Sequence, residues 1–545
     1  MPRLLVQAPV ERVEPTFASD GTQASPPAVK KIMKNINPPN WLTYGILLVA
    51  AFLFVFLFSC TTSPLYEHYP FWFHGDSGIF QEMGVCLLQG GTPYVDLFDH
   101  KGPILWFIQA LGIGLSPRWG LMALQSISLF CTLLLWYKSS LLLVERQIPA
   151  IIITLSGLIF LLAFYQRGNL CEEWSLPFIS LPIYLYIKRS GTRAPSPAVI
   201  PGTRAPSPAV MQQPQARTPA YQHTDAFIVG LSVGIIAMIR LNNTAPIVGF
   251  VLWHFIECIK NKDFRRLCTD VTLILAGMAI VFDACALFYL AKARWTGVYE
   301  MIYGTFIFNF LYVAEGSGPL SFVSKLQHYV TPLLFLTADT ILLIHDKKTL
   351  FIIWPTILSF VVTLFAIGSF GFVHYMIIFI PLLVLSICLA VKSRTKITFF
   401  IYGSACVFSL FLSYDAVDHL LFRVRGNIAD TTLNDGFHRF ANSLSDDERN
   451  SIYNAGLNNM GAGLFADEGI CQCNRIISAN HSNISPRLME YLQTHGIKDL
   501  RSAWVLTQSP NPEATDDYMA THYTLADSIT GGEFDPIWCW KWNAN

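Results

Sequence analysis

The stretch Ile104–Leu115, ILWFIQALGIGL, determines the predicted membrane topology of this chain. It is apolar, but it holds only 12 residues, and a membrane-spanning helix needs about 20. Pro103 stands directly before it, and proline is well tolerated in the first turn of a helix. We therefore predict a re-entrant or half-buried helix that does not cross the membrane.

The composition of the whole chain indicates a protein in contact with lipid. Of its 545 residues, 52% are hydrophobic and only 14% are charged, whereas soluble domains carry about 25% charged residues. The formal net charge is zero, which argues against nucleic acid as a partner, because such a partner favours a basic surface. Membrane lipids are the expected surroundings of this chain.

Apolar windows of about twenty residues predict the membrane helices. Eleven windows have the required character, near residues 42–60, 119–138, 148–165, 174–188, 226–241, 244–260, 270–291, 329–345, 349–369, 373–391 and 396–414. The fold class is therefore an α-helical polytopic membrane protein with about 11 spans and one re-entrant or interfacial helix.

The basic loops orient these spans. If Ile104–Leu115 does not cross, all six basic loops lie on one side, which the positive-inside rule makes cytoplasmic. These loops are at residues 30–34, 138–146, 188–204, 260–266, 347–348 and 392–396. We expect a multi-pass protein of the inner cell membrane, with a cytoplasmic segment 1–40, a membrane domain 41–414 and an extracytoplasmic C-terminus.

Two segments outside the spans differ in character. The cytoplasmic loop 189–224 repeats GTRAPSPAV at 191–199 and 202–210, and its Pro-, Ser- and Ala-rich composition predicts a disordered linker. The tail, 415–545, alternates polar residues with short apolar runs, which predicts a small extracytoplasmic α/β domain.

Within the tail we predict a helix over 483–496, a strand over 503–507, and an edge or closing strand in the aromatic run 537–542. Cys471, Cys473 and Cys539 also lie in this tail. An extracytoplasmic location would permit one disulfide among them, and the sequence leaves the pairing open.

The densest chemistry lies in the loop 61–118. Asp76 follows the first span and could act as a general base or hold a divalent cation; a solvated interfacial charge is the alternative. Asp99, His100 and Lys101 precede the short helix, and Lys101 could neutralise a phosphate or extend to the membrane interface.

Further polar residues fall on the same predicted face, where charges at membrane depth usually line a protein interior or an aqueous cavity. They are Arg118, Arg167, Glu172, Arg240, Asn242 and His374. A structural ion pair between Arg240 and Glu172 is one interpretation. A shared anionic ligand explains the set better, because arginine makes bidentate contacts with phosphate.

The pattern of Asp76, then GGTPY at 90–94, then DLFDHKGP at 96–103 resembles the GT-C superfamily of membrane glycosyltransferases. It is similar to the branch, of the family 39 type, that contains the protein O-mannosyltransferases and the aminoarabinose transferases of lipid A. The resemblance covers residues 40–415 and is most specific over 74–106.

The resemblance implies an enzyme that moves a sugar, as hexosyltransferases do, from a polyprenyl-phosphate donor to an extracytoplasmic lipid, polysaccharide or protein acceptor. It implies that Asp76 is the base or orients the acceptor, that Asp99 and Lys101 line the active site, and that Arg118 and Arg240 hold the donor phosphate. The mannosyltransferases pair two acidic residues, whereas Ser77 follows Asp76 here, so the metal is unknown.

Two other classes of function compete with this interpretation. A transporter or flippase of a lipid-linked or anionic substrate also carries charges within the membrane, although no inverted repeat is visible. A scaffold whose tail binds a partner would leave the charges scattered. The discriminating observation is whether Asp76, Asp99, Arg167 and Arg240 surround one cavity.

Overall fold

A computed structural model describes residues 38–66, 75–191, 222–315, 322–347, 349–367, 372–424, 431–477, 484–511, 517–531 and 534–543. The N-terminal segment 1–40 and the linker 189–224 lie almost wholly outside these ranges. The disorder predicted for the linker stays a prediction.

Each predicted span coincides with a helix. These helices are α1 (Asn40–Phe58), α4 (Gly120–Val144), α5 (Gln147–Phe164), α6 (Cys171–Gly191), α7 (His223–Ala237), α8 (Ala245–Lys260), α9 (Phe264–Ile302), α11 (Phe322–His345), α12 (Leu350–Ile367), α13 (Ile380–Ser393) and α14 (Lys396–Leu412). A π-helical turn, Tyr303–Ile307, joins α9 to α10 (Phe308–Glu315), and a 3₁₀ turn, Val373–Phe379, leads into α13.

Six segments of the described chain are long and apolar enough to cross a membrane: Asn40–Phe58, Gly120–Val144, Gln147–Phe164, Phe264–Tyr312, Leu350–Ile367 and Val373–Ser393. Four apolar helices are shorter: Pro103–Leu115, His223–Ala237, Tyr329–His345 and Lys396–Leu412. The chain is thus a helical protein with several membrane-capable helices, and the count of eleven stays a prediction.

The bundle buries one side of each helix and exposes apolar residues on the other. In α1, Leu47, Ala51 and Val55 are fully buried, whereas Trp41 is 73% exposed and Val49 56%. Such exposed apolar surface is costly in water, so this face suits lipid.

The loop after α1 contains two helices, α2 (Gly75–Leu88) and α3 (Pro103–Leu115). The helix α2 was not predicted, because its residues were interpreted as part of a loop. α3 has the predicted bounds and carries Pro103 in its first turn, and at about 1.5 Å per residue its 13 residues are too short to span a bilayer. Gly84 lets α2 and α3 pack closely, since a Cβ there would lie 2.7 Å from Gln109 Cβ.

The tail begins with α15 (Tyr414–Val424), α16 (Thr432–Ser443), α17 (Asp446–Arg449), β1 (Ile452–Asn454) and α18 (Asn458–Asp467). It continues with α19 (Pro486–Thr494), α20 (Ile497–Leu500), β2 (Trp504–Thr507), α21 (Asp517–His522), β3 (Tyr523–Gly531) and β4 (Phe534–Trp542). The predicted helix over 483–496 and the strand over 503–507 correspond to α19 and β2.

The sheet order is β1-β2-β4-β3, with β1 parallel to β2 and the other pairs antiparallel. The strand predicted over 537–542 is present as β4, but it is not at the edge of the sheet, because β4 pairs on both sides. Burial explains its aromatic character, since Ile537 and Cys539 lie in the core between the sheet and α16.

The tail packs directly on the first loop. The Gln472 amide donates to Glu82 Oε1 (3.2 Å), and the Phe98 amide donates to the Arg475 carbonyl (2.6 Å). These contacts join residues 472–475 of the tail to α2 and to the segment just before Asp99.

All three tail cysteines are free. The Cys473 thiol contacts Ser502 Oγ at 3.1 Å, and Cys539 is buried in the sheet. The Cys471 thiol instead interacts with Cys86 in α2. The cysteine that interacts with Cys471 is therefore in the first loop and not in the tail.

Candidate active site

The site is assembled around Gly102, where the first loop enters α3. The Gly102 amide donates to the Ile239 carbonyl (2.9 Å), and the Ile104 amide donates to the Met238 carbonyl (3.0 Å). A Cβ on Gly102 would lie 2.0 Å from the Met238 oxygen, so only glycine permits this approach. The contact places Asp99–Lys101 beside Arg240, which follows α7. We call this end of the bundle the loop end.

Asp99, His100 and Lys101 form a buried charged cluster, each at most 5% exposed. Lys101 Nζ lies 3.9 Å from Asp99 Oδ2 and 3.0 Å from His100 Nε2, and His100 Nδ1 lies 3.3 Å from Asp99 Oδ1. Burial disfavours the charged form of Lys101, but the carboxylates of Asp99 and Asp76 outweigh burial and raise its pKa. Burial and the neighbouring Lys101 lower the pKa of His100. Lys101 is therefore the cation and His100 is neutral at pH 7.

Asp76 lies in the first turn of α2, where the helix dipole favours a negative charge. Burial raises its pKa, but Lys101, together with His374 and Arg240, outweighs burial and holds the pKa below its usual value. The opposing carboxylate is Asp99. Asp76 is thus ionised at neutral pH and faces two cations from separate parts of the chain, Lys101 and Arg240.

Arg240 forms the ion pair that the sequence analysis considered as a structural role. Its Nη1 lies 2.6 Å from Glu172 Oε1, and its guanidinium carbon lies 4.1 Å from the centre of the Tyr375 ring. Glu172 Oε2 is buried and has no hydrogen-bond partner within the described residues. The pair fixes Arg240 at the site and does not prevent its remaining nitrogens from meeting a ligand, because a guanidinium has five donors.

His374 is buried at the start of the 3₁₀ turn before α13, and its Nδ1 lies 2.6 Å from Gln166 Oε1. Gln166 belongs to the tight connection 165–170 between α5 and α6, in which four consecutive residues, Gln166 to Asn169, have positive φ. Asn169 donates to Ser77 Oγ (2.8 Å) and to Gln109 Oε1 (3.0 Å). This connection therefore contacts both α2 and α3 and holds them together near Asp76.

Three residues that were predicted to belong to the site are not part of the Asp99–Lys101 cluster. Arg118 is exposed beyond the far end of α3, 6.0 Å from the Trp119 ring centre, so the length of α3, about 20 Å, separates it from Lys101. Arg167 lines a separate cavity of about 170 Å³ beside Val373 and His419. Asn242 is half-buried in a 3₁₀ turn, while its neighbour Asn243 donates to Ser175 Oγ.

The surroundings of Asp76 do not fit a divalent cation. Such an ion takes several oxygen ligands, whereas the basic groups Lys101, His374 and Arg240 act on this carboxyl and Asp99 is the one other carboxylate among the described groups that shift its pKa. Within the described residues, the cluster of His, Cys and acidic side chains with metal-ligand spacing is His254, Cys258 and Asp270, in another part of the bundle. We therefore assign no metal ion to Asp76.

A cavity of about 810 Å³ lies between the far part of α2 and the tail, and Cys86, Asp96, Arg449 and Tyr491 are among its lining residues. Cys86 is ten positions after Asp76, about 15 Å along α2. The Asp99–Lys101 cluster does not line this cavity, so we place the chemistry at Asp76 and not in this cavity.

The tail residues that hold the first loop in place were not predicted from the sequence. Arg475 Nε donates to the Tyr94 carbonyl (2.9 Å), and Arg475 Nη2 lies 2.6 Å from Glu300 Oε2. Arg487 also pairs with Glu300. These partners are 175 or more positions apart, and no local pattern reveals such contacts.

The overall structure is similar to that of the archaeal oligosaccharyltransferase AglB from Archaeoglobus fulgidus, solved with an inhibitory peptide and a dolichol-phosphate. The TM-score is 0.51 at 11% identity, over 86% of this chain and 69% of that one. A second similar structure is ArnT from Cupriavidus metallidurans bound to undecaprenyl phosphate, with a TM-score of 0.42 at 12% identity, over 92% and 98% of the two chains. The scan against protein-family models and the search of curated proteins found no match. The AglB likeness shows the fold alone: this chain shares the overall architecture of that oligosaccharyltransferase, and this agrees with the sequence resemblance to the GT-C superfamily.

Proposed function

We propose that this chain is a glycosyltransferase that moves a sugar from a polyprenyl-phosphate donor to an acceptor at the loop end of the bundle, on the extracytoplasmic side. The GT-C architecture and the membrane-capable helices support a lipid-linked donor. The acceptor is a lipid, a polysaccharide or a protein. The reaction inverts the anomeric centre because it is a single displacement.

One observation carries this proposal: an ionised carboxylate, Asp76, faces Lys101 and Arg240 at the end of a membrane bundle. A base and a set of cations are what the reaction needs. The acceptor hydroxyl must lose a proton, and the departing phosphate must be stabilised as it gains negative charge.

In the proposed step, the acceptor oxygen attacks the anomeric carbon and forms the new glycosidic bond. The bond from that carbon to the phosphate oxygen breaks, and its electron pair leaves with the polyprenyl phosphate. Asp76 takes the proton of the acceptor hydroxyl. Lys101 and Arg240 balance the charge on the phosphate.

Donor binding itself would strengthen the base. Without a ligand, the positive charges of Lys101 and Arg240 help to hold the pKa of Asp76 low. A phosphate between these cations would cancel part of their charge, and the Asp76 pKa would then rise toward its ordinary value. Asp76 would accept a proton more readily in the donor complex than in the free enzyme.

Asp99 and Glu172 have positioning roles in this proposal. Asp99 holds Lys101, since the backbone amide of Lys101 donates to its Oδ2 (3.2 Å), and Glu172 holds Arg240 through their ion pair. His374, which acts on the Asp76 carboxyl, is held by its hydrogen bond with Gln166. Arg167 borders the neighbouring cavity, where it can contact the carrier lipid near the membrane boundary.

The direct test is transfer of labelled sugar from synthetic polyprenyl-phosphate donors by the purified full chain in lipid nanodiscs. We expect Asp76→Asn to reduce transfer by about 10²-fold or more, since general-base catalysis contributes on that scale. The matched control is Glu82→Gln in the same helix, which is expected to keep normal transfer. Normal transfer by Asp76→Asn, with correct folding, would exclude Asp76 as the base.

The phosphate role is tested at Arg240. We expect Arg240→Ala to lower transfer by about 10²-fold, and Arg240→Lys, which keeps the charge, to lower it less. Because the alanine variant also leaves Glu172 unpaired, thermal melting of both variants must accompany the rates. Binding of undecaprenyl phosphate should weaken in both variants in the same order; unchanged binding would reject the assignment.

A further inference from the structure

A second polar cluster lies at the end of the bundle opposite Asp76. His254 and Cys258 are on α8, four residues apart and thus on one face of the helix, and Asp270 is on α9. All three side chains are buried, and their ligand atoms lie within 4.8 Å of one another. His223, at the start of α7, completes the cluster from a third helix.

The cluster is far from the proposed active site. α7 runs from His223 to Ala237, and Arg240 follows it. Fifteen helical residues extend about 22 Å, so the two ends of α7 lie near different faces of the bundle. The cluster therefore cannot serve the chemistry at Asp76 by contact.

The distances match those of a zinc site with small adjustments. His254 Nε2 lies 2.9 Å from Asp270 Oδ2, and Cys258 Sγ lies 3.8 Å from His254 Nε2. In a tetrahedral zinc site, bonds of about 2.0–2.3 Å place neighbouring ligand atoms roughly 3.3–3.6 Å apart. These two separations are within about half an ångström of that range, and the separation between Cys258 and Asp270 is at most 4.8 Å.

The donor set also fits zinc chemically. Imidazole nitrogen, thiolate sulfur and carboxylate oxygen are all zinc ligands, whereas Mg²⁺ and Ca²⁺ take oxygen almost entirely. The cysteine thiolate and the Asp270 carboxylate together balance the two positive charges of the ion. A metal-binding carboxylate is commonly held by an outer hydrogen bond, and His223 Nδ1 lies 2.8 Å from the second oxygen, Asp270 Oδ1.

We propose that His254, Cys258 and Asp270 bind one Zn²⁺, that His223 orients Asp270 from outside, and that the ion clamps the ends of α7, α8 and α9. Water takes the fourth ligand position. Cys258 loses its proton as the zinc–sulfur bond forms, and that proton passes to solvent.

Arg266 is a further basic group beside Asp270. Its Nε lies 3.3 Å from Asp270 Oδ2, one helical turn away, and its side chain is 16% exposed. In the zinc-free protein Arg266 compensates the Asp270 charge. When zinc binds, the guanidinium is displaced toward solvent, so the fold does not depend on the metal.

The test is zinc titration of the full chain, purified in detergent and stripped with a chelator, with the metal content measured after gel filtration. We expect one Zn²⁺ per chain. Cys258→Ser and His254→Ala should each weaken binding by more than about 10²-fold, because outer partners alone contribute 10–100-fold. His223→Ala should weaken it by roughly 10-fold or more on that basis. Cys268→Ser, at an exposed cysteine in α9, is the matched control and should bind normally.

Cobalt provides a second measurement on the unmodified protein. Co²⁺ bound through Cys258 should give a thiolate-to-metal charge-transfer band, and Cys258→Ser should lose it while Cys268→Ser keeps it. Chelator should lower the melting temperature of the zinc-loaded parent chain and leave that of Cys258→Ser unchanged. No bound zinc, or zinc and cobalt signals that persist in Cys258→Ser and His254→Ala, would overturn the proposal and leave the cluster as a hydrogen-bonded ion network.

Discussion

Gly102 lies directly against the Met238 carbonyl, in a gap that no larger residue could share. Its φ of −78° is ordinary, so the requirement for glycine comes from close packing and not from backbone strain. We expect Gly102→Ala to separate the Asp99–Lys101 cluster from Arg240. Transfer should fall by about 10-fold or more, and the protein should lose about 1–3 kcal/mol of stability, as in other overpacked sites. Transfer rates and thermal melting in nanodiscs measure both effects.

Gly114→Ala is the control for this prediction. Gly114 is in the same helix, and a Cβ there would make an ordinary contact with Leu88 at 3.4 Å. Alanine favours the helix, so this variant should keep its activity and melt at an equal or higher temperature. Equal activity of Gly102→Ala and Gly114→Ala would show that the Met238 contact does not position the site.

Removing Arg475 should loosen the tail from the first loop. Its side chain is 9% exposed, bonds to Tyr94 and Glu300, and lies 4.9 Å from the Tyr491 ring centre. Breaking a buried ion pair costs 3–5 kcal/mol. Because Arg487 remains as a partner for Glu300, we expect Arg475→Ala to cost about 3 kcal/mol. Limited proteolysis should release the tail faster, and transfer should fall.

Arg439→Ala provides the comparison for the tail. Arg439 is exposed on α16, and its removal should change neither the proteolysis rate nor the transfer rate. If Arg475→Ala resists protease as well as Arg439→Ala does, the Arg475 contacts contribute little to holding the tail.

Docking of the tail should weaken as the pH rises. Burial raises the pKa of Glu82 to about 8, while the hydrogen bond from the Gln472 amide lowers it slightly. The folded protein therefore binds this proton more tightly than the unfolded chain, whose glutamate pKa is near 4.5. The stabilisation is complete below pH 4.5 and is lost as the pH rises through about 8. The loss is at most about 1.4 kcal/mol per pH unit.

Glu82→Gln tests this pH dependence, because glutamine imitates the protonated acid at every pH. Melting temperatures between pH 5 and 8.5 should fall in the parent chain and fall less in Glu82→Gln. Parallel curves for the two proteins would mean that Glu82 does not titrate in this range.

Mild oxidation should join the tail to the first loop. The thiols of Cys86 and Cys471 interact, and both line the 810 Å³ cavity, so an oxidant such as diamide can reach them. The two thiols give up two electrons and two protons to the oxidant and form one disulfide. Mass spectrometry of a non-reducing digest should detect a Cys86–Cys471 peptide pair, and Cys473→Ser should not reduce its yield. A pair between Cys471 and Cys539 instead would contradict the described packing of the tail.

The sequence predicted those features that depend on local composition. Apolar windows located the helices, and the bounds of the short helix at 104–115 agree with α3 to within one residue. The loop motif at 96–103 located the Asp99–Lys101 cluster, because Gly102 and Pro103 mark the junction. The pairing of Arg240 with Glu172 was considered as an alternative, and the ion pair is present.

Contacts between distant segments could not be predicted in the same way. α2 was missed because its sequence, GDSGIFQEMGVCLL, has no clear apolar periodicity and is buried on several sides. The strand at 537–542 was predicted, but its internal place in the sheet was not, because a single strand does not reveal its neighbours. Arg118 was grouped with the site by membrane side alone, and only the direction of α3 shows how far away it lies.

The hydrogen bond from Gln472 to Glu82 joins residues 390 positions apart, and this separation affects how the protein is made. The first loop emerges early in synthesis, but its partners in the tail emerge only after all the membrane helices have been inserted. Contacts between such distant segments form late. Until then, the loop that carries Asp99 and Lys101 lacks its support from the tail. A chain whose synthesis stops before residue 469 would therefore keep its membrane helices but lack this support, so catalytic competence should arise only at the end of biogenesis.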